Sequence, residues 1–294
     1  MLVTWFIVDR VGLSLASLRT LDPARWVPSA FPLGAASLAL LIGYGVSAAL
    51  WGRIVADLGG PRLRAPDAVR VFMVANLGRY VPGKVWQIAG LAALARGRGV
   101  PAATATAAAV LGQGIALVAA TLVGAGALAR TPGRAGPWAV GFLAAMIVAV
   151  AVGLAPPVFR AAVGLWFRLA HARPPEALSS RAAVRWLAAY VLNWMLYATS
   201  FWLLVRSFGL DAPLVPVAGA FAAAYVLGYI MVFAPAGLGV REGFMVALLT
   251  PYLGVGPSGA MAVIARLWTT VLEVVPAAAF WMRHMILRNR RGSG

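Results

Sequence analysis

Apolar residues gather in long blocks along this chain. Residues 32–51, 102–129, 136–155, 182–205 and 256–282 are each about 20 or more mainly apolar positions, the length an α-helix needs to cross a bilayer core. Each predicts one crossing. Two further apolar stretches, 69–94 and 214–249, are interrupted, the first by Tyr80-Val-Pro-Gly-Lys84 and the second by Pro235-Ala-Gly-Leu-Gly239 followed by Arg241 and Glu242. Proline removes an amide donor and glycine frees the backbone, so each stretch predicts two helical segments joined inside or at the edge of the membrane. Residues 5–18 are only moderately apolar and carry charges at their centre, which marks 1–25 as an interfacial or partial helix. Residues 156–169 are short and hold Arg160, Arg168, Trp166 and Phe167, a pattern for a helix lying in the interface. The fold class expected is all-α: a polytopic helical membrane protein, one integral membrane domain over 1–294, with two broken helical hairpins.

Composition agrees. Apolar residues make up 62% of the chain and DEKR only 11%, against roughly a quarter charged in an average soluble domain. No stretch is long or polar enough for a separate soluble domain. The 32 Gly and 19 Pro sit within apolar runs, where they serve close packing and helix breaks. There is no Cys, and His171 and His284 both lie in Arg-rich flanks, so disulfides, thiolate chemistry, a His-based triad and a resident metal or other cofactor are not expected. The segment 2–21 carries Asp9, Arg10 and Arg19 and lacks the pattern of a cleaved signal.

Charge adds orientation. The 25 Lys+Arg against 8 Asp+Glu give a net charge of +17. With no basic, aromatic-interleaved polar domain, this argues against nucleic acid and for Arg-rich loops facing anionic head groups. The tail 283–294, with Arg283, Arg288, Arg290 and Arg291, and the stretch 160–185 with its five Arg are assigned to the cytoplasm. Counting back, both ends of 69–94 fall inside and both ends of 214–249 outside. The two broken hairpins are therefore expected in inverted orientation, re-entrant or fully crossing, as inverted-repeat transporters place them around a midplane site.

The breaks also hold the candidate chemistry. After Pro82 and Gly83 a new helix is expected near Lys84, presenting unpaired N–H groups and a positive dipole end beside Arg79 and Lys84, with Gln87 one turn on. That suits an anion, although snorkelling to head groups would use the same cations. The second break repeats the device: Pro235, Gly237 and Gly239 open the backbone, and Arg241 and Glu242 follow. Adjacent residues point to different helix faces, so Arg241 is read as a substrate ligand, and Glu242 as either a ligand or a group placed by the helix dipole. Arg266 and Glu273, seven residues apart, share a face of the last long helix. Either charge at mid-membrane costs about 2.5 to 3.5 kcal/mol, so each needs a cavity or a partner, and Glu242 or Arg241 is within reach. A purely structural ion pair is the alternative. Asn193 and Gln113 are read as ordinary cross-helix amides.

With both motifs in view, the chain resembles the membrane part of the lysylphosphatidylglycerol synthases. The resemblance rests on Asn76-Leu-Gly-Arg79-Tyr-Val-Pro-Gly83-Lys84 and on Pro235-Ala-Gly237-Leu-Gly239-Val-Arg241-Glu242-Gly243. It implies movement of a lipid between leaflets, with the separate lipid-making soluble domain absent from this chain. The partners implied are membrane lipids, either an anionic phospholipid or a polyprenyl-phosphate-linked lipid, in a bacterial inner membrane, and homo-oligomerisation is left open. The function expected is a flippase-like transporter and no enzyme, with Arg79, Lys84 and Arg241 on the lipid phosphate and Glu242, Arg266 and Glu273 as an intramembrane charge network. The alternatives are a membrane enzyme on a lipid-linked substrate and a non-catalytic scaffold. No phosphate-binding loop suggests ATP.

Overall fold

The computed structural model describes residues 26–81, 85–129, 135–172, 180–231, 237 and 239–292. The interfacial segment expected at 1–25 lies outside these residues, as do Pro82, Gly83, Lys84 and Pro235. Every regular element among the described residues is helical. In chain order they are α1 (Ala30–Asp57), α2 (Ala65–Asn76), a 3-10 turn (Leu77–Tyr80), α3 (Val85–Arg96), α4 (Ala102–Ala129), α5 (Ala135–Leu154), α6 (Pro156–Leu169), α7 (Ser180–Ser207), α8 (Leu214–Ile230), α9 (Val240–Leu253) and α10 (Val255–Gly292).

Four of the five long apolar blocks form helices long and apolar enough to cross a membrane, and the fifth, residues 136–155, joins them only if α5 and α6 count as one bent span. α1, α4, α7 and the part of α10 up to Met282 are each 28 residues, about 42 Å at 1.5 Å per residue and so ample for a core of about 30 Å. Their outward faces carry Leu38, Ile42, Leu192, Met195, Leu267, Val271 and Val275, all exposed. That much exposed aliphatic surface has no favourable place in water and a ready one among acyl chains. The chain is a multi-span membrane protein. α5 bends by 68° into α6, and α6 buries Phe159, Val163 and Phe167 along one side while Arg160 and Arg168 stay outside. Residues 156–169 thus form a short helix with one buried apolar side and its arginines outside. Past Met282 the basic segment continues α10 as helix through Gly292.

α1 and α7 run antiparallel and form the largest helix pair. At one end the Ser29 amide donates to the Ser207 carbonyl, 2.7 Å. At the other, the Trp186 indole donates to Asp57, 3.0 Å, and Arg53 pairs with the same carboxylate. Both apolar stretches flagged as interrupted are broken, with α2 and α3 flanking one break and α8 and α9 the other. α2 and α3, 12 residues each, reach only about 18 Å, too short to cross singly. Their outer ends are joined by an ion pair between Asp67 and Arg98, 2.9 Å, so this hairpin starts and finishes at one level. Arg206 pairs with Asp211, and the Trp202 indole donates to the Ala212 carbonyl, at the approach to α8.

Small residues set the closest approaches. α4 and α8 meet through Gly124, where an added Cβ would lie 3.1 Å from the Ala223 nitrogen, and Gly219, where it would lie 2.5 Å from the Ala127 Cβ. In an apolar solvent such backbone contact replaces hydrophobic burial as the force between helices.

Candidate functional site

The two breaks converge on the middle of the bundle. At the first, the chain leaves α2 through the 3-10 turn, and Gly78 lets the first turn of α3 press against it: a Cβ there would meet the Gln87 nitrogen at 2.6 Å. This fold-back sets Asn76, Arg79, Tyr80 and Gln87 side by side. The Asn76 carboxamide oxygen accepts from Arg79 Nη2 at 2.9 Å and from Gln87 Nε2 at 2.6 Å. At the second break, Gly237 has φ +71°, and a Cβ on it would lie 2.8 Å from the Gly228 carbonyl oxygen. Only glycine fits both the left-handed backbone and the contact. α9 then begins, and the Gly239 amide donates to Glu242 Oε2 at 2.7 Å, placing a carboxylate on the positive end of that helix.

α10 supplies the remaining charges. Glu273, only 4% exposed, accepts three hydrogen bonds: from Arg79 Nη1 at 2.8 Å and the Tyr44 hydroxyl at 3.0 Å on Oε1, and from the Tyr80 hydroxyl at 2.7 Å on Oε2. Two turns earlier, Arg266 Nη1 stands 3.8 Å from Glu242 Oε1, and its guanidinium lies 5.7 Å from the Tyr80 ring centre. The last long helix thus holds one ion pair to each broken hairpin. The expectation that Arg266 and Glu273 find partners elsewhere holds, but Glu273 is met by Arg79 of the first hairpin, not by the second motif.

These groups border an interior cavity with room for water centres over about 90 Å³, lined among others by Tyr44, Asn76, Arg79, Gln87, Arg241 and Glu273. A second, of about 50 Å³, shares Arg79, Gln87, Arg241 and Glu273 with it and adds Arg266 and Gly237. One water needs about 10–15 Å³ by this measure, so the larger chamber takes at least about six. Arg241 differs from its fellow cations. Among the described residues no carboxylate lies within ion-pair distance of it, and its guanidinium rests on the rings of Phe221 and Tyr225, 5.0 and 5.9 Å from their centres. A cation held on aromatic faces keeps its in-plane N–H donors for another group. In the larger chamber Arg79 and Arg241 face one carboxylate, Glu273, which leaves one net positive charge in its described lining.

The model of one family, described as lysylphosphatidylglycerol synthase TM region, matches residues 1–277. The chain belongs to that family. No curated protein matches it. The lysylphosphatidylglycerol synthase TM region is a membrane domain tied to lipid function, and both broken hairpins and all the charged residues described above fall within the matched residues.

Of the residues singled out in the sequence, Arg79, Gln87, Arg241, Arg266 and Glu273 line the two cavities, Glu242 stands behind Arg266, and Gly237 and Gly239 shape the second break. Lys84, Pro82, Gly83 and Pro235 are outside the described residues. Asn193 makes the cross-helix bond expected of it, donating to Ser47 at 2.9 Å. Gln113 does not, because its amide nitrogen is buried without a partner. Reading the sequence missed the tyrosines. Tyr44 and Tyr80 ligate Glu273, while Tyr190, Tyr197 and Tyr225 form part of the cavity wall. The signal available was their place near the centres of apolar blocks, since tyrosines serving only as interface anchors sit at span ends.

Proposed function

We propose that this protein moves an anionic lipid, or a lipid-phosphate-linked molecule, between the leaflets of a bacterial inner membrane, with the phosphate passing through the cavity between the two broken hairpins. The observation that carries the reading is Arg241: an interior cation bordering a cavity roomy enough for several waters and without a described carboxylate in ion-pair distance. A charge at membrane depth without a fixed partner is costly, and a transient anionic ligand offsets that cost. Arg79 is the second phosphate ligand, released from Glu273 as the phosphate arrives, and Lys84 of the first break is the third. Arg266 and Glu242 tie the second hairpin to α10.

The hairpins enter from opposite faces, and the end carrying Arg53, Asp57, Asp67, Arg98 and Arg160 faces the cytoplasm together with the C-terminus. We read the site as a binding site, not a catalytic one. In this reading Glu273, with three donors, and Glu242, with the Gly239 amide, serve as anchors of the two hairpins.

The test is exchange of fluorescent phosphatidylglycerol across liposomes containing the purified protein. Wild type should accelerate exchange, and Arg241→Ala should slow it about tenfold or more, the worth of one charge-assisted hydrogen bond, without loss of thermal stability. An unchanged rate in folded Arg241→Ala would end the proposal.

A further inference from the structure

The last two turns of α1 and the start of α2 border an open cavity of about 240 Å³, whose lining shares no residue with the two interior chambers. Its floor is made of small side chains. Ala49, Gly52 and Ala56 of α1 face Ala65 and Ala68 of α2, and a Cβ on Gly52 would lie 3.3 Å from that of Ala68. Arg53 and Arg62 stand at the rim, both exposed. Arg53 is held in place: its Nε donates at 3.2 Å to Asp57 Oδ2, the oxygen that also accepts from the Trp186 indole at 3.0 Å, and Trp186 is 2% exposed. This anchor uses the Nε and leaves both Nη groups without a bond to any described residue. Among the described residues no carboxylate lies within ion-pair distance of Arg62. With Asp57 counted, the two arginines leave one net positive charge at the rim.

The same face of α1 continues from the cavity along the span. Leu38, Ile42, Gly45 and Ala49 recur every three or four residues and so share one side of the helix. Leu38 and Ile42 are 60% and 50% exposed, and a Cβ on Gly45 would meet nothing within 4 Å. α1 has 28 residues, about 42 Å, so with the span centred a core of about 30 Å covers roughly 20 of them. Arg53, one turn before the last residue, then stands at the head-group boundary. We propose that this cavity seats an anionic phospholipid of the surrounding leaflet, its phosphate on Arg53 and Arg62 and an acyl chain lying along Ala49, Gly45, Ile42 and Leu38. A guanidinium with both Nη groups open takes a phosphate through two parallel hydrogen bonds, and the net charge of the rim matches a monoanionic head. The seat is separate from the interior chambers and does not depend on lipid movement. A lipid in it bridges α1 to α2 and braces the outer end of the first hairpin.

The test is thermal unfolding of the full chain in detergent, titrated with dioctanoyl phosphatidylglycerol, dioctanoyl phosphatidylcholine and inorganic phosphate, since a ligand of the folded state raises its unfolding temperature. Phosphatidylglycerol should stabilise wild type at lower concentration than phosphatidylcholine. Arg53→Gln and Arg62→Gln should each weaken that binding about fivefold. Ala49→Phe, which fills the floor and removes no charge, should weaken it at least as much. The three replaced side chains are exposed, so the unliganded unfolding temperature should stay near that of wild type. The same losses should appear in an Arg241→Ala background, whose interior chamber has lost a cation. Losses seen only with Arg241 intact would assign the binding to that chamber and overturn the seat. Equal stabilisation by the two lipids would overturn it as well. Stabilisation by inorganic phosphate at the same concentrations would reduce the site to an anion contact, and undiminished binding by Ala49→Phe would leave only a diffuse attraction between basic surface and anionic lipid; either result refutes the proposal.

Discussion

Glutamine at position 273 tests the core of the charge network. Glu273→Gln keeps the shape of the side chain and removes its charge, leaving Arg79 beside a neutral amide that satisfies at most part of what three donors now share. Removing one partner of a fully buried ion pair costs about 3–5 kcal/mol. Here the Arg79 side chain is 24% exposed and borders a chamber that admits water, so the lower end, about 3 kcal/mol, applies. For a chain of this size that is a loss of about 6 °C or more in unfolding temperature, readable by tryptophan fluorescence in detergent. The double variant Arg79→Gln with Glu273→Gln removes both charges and should recover most of the loss, giving a coupling energy above about 1.5 kcal/mol. The single variant also frees Arg79, so it should bind lipid phosphate more tightly and move it more slowly. A single-variant loss under about 1 kcal/mol, or a double variant no better than the single, would refute the claim that this pair holds the first hairpin to α10.

Three further outcomes follow from the same geometry. Tyr44→Phe should cost about 1.5–3 kcal/mol, the worth of a hydrogen bond to a charged group, and much less in the Glu273→Gln background; equal costs in both, by thermal unfolding, would separate Tyr44 from the network. Gly237→Ala forces an L-residue into φ +71° against the Gly228 carbonyl, which should cost about 2–4 kcal/mol and slow lipid exchange through displacement of Arg241; an unchanged unfolding temperature would show that the break is freely deformable. Asp67→Asn should cost less than about 1 kcal/mol, because both members of the pair with Arg98 are partly exposed, and a larger loss would make that pair a true fastening of the hairpin ends.

Much of the fold was legible in the sequence, because membrane solvent leaves few options: a block of 20 apolar residues is a span, and a Pro-Gly cluster within one is a break. Both interrupted stretches broke, between Tyr80 and Val85 and between Ile230 and Val240, and residues 156–169 formed a short helix of their own, bent from the one before it. The pairing of charges was not legible. Glu273 and Arg79 are 194 positions apart, and no periodicity specifies which of several interior arginines meets a given carboxylate.

The placement of Arg266 and Glu273 on one helix carries a mechanical meaning. The two side chains are about 10 Å apart along a continuous rod, and each is fastened to a different hairpin turn. Under the proposed transport, a ligand that loosens the Arg79–Glu273 pair would change the load on the Arg266–Glu242 pair through the helix between them. The two hairpins would then need no relay of side chains to stay in step, because one helix serves as their common axle.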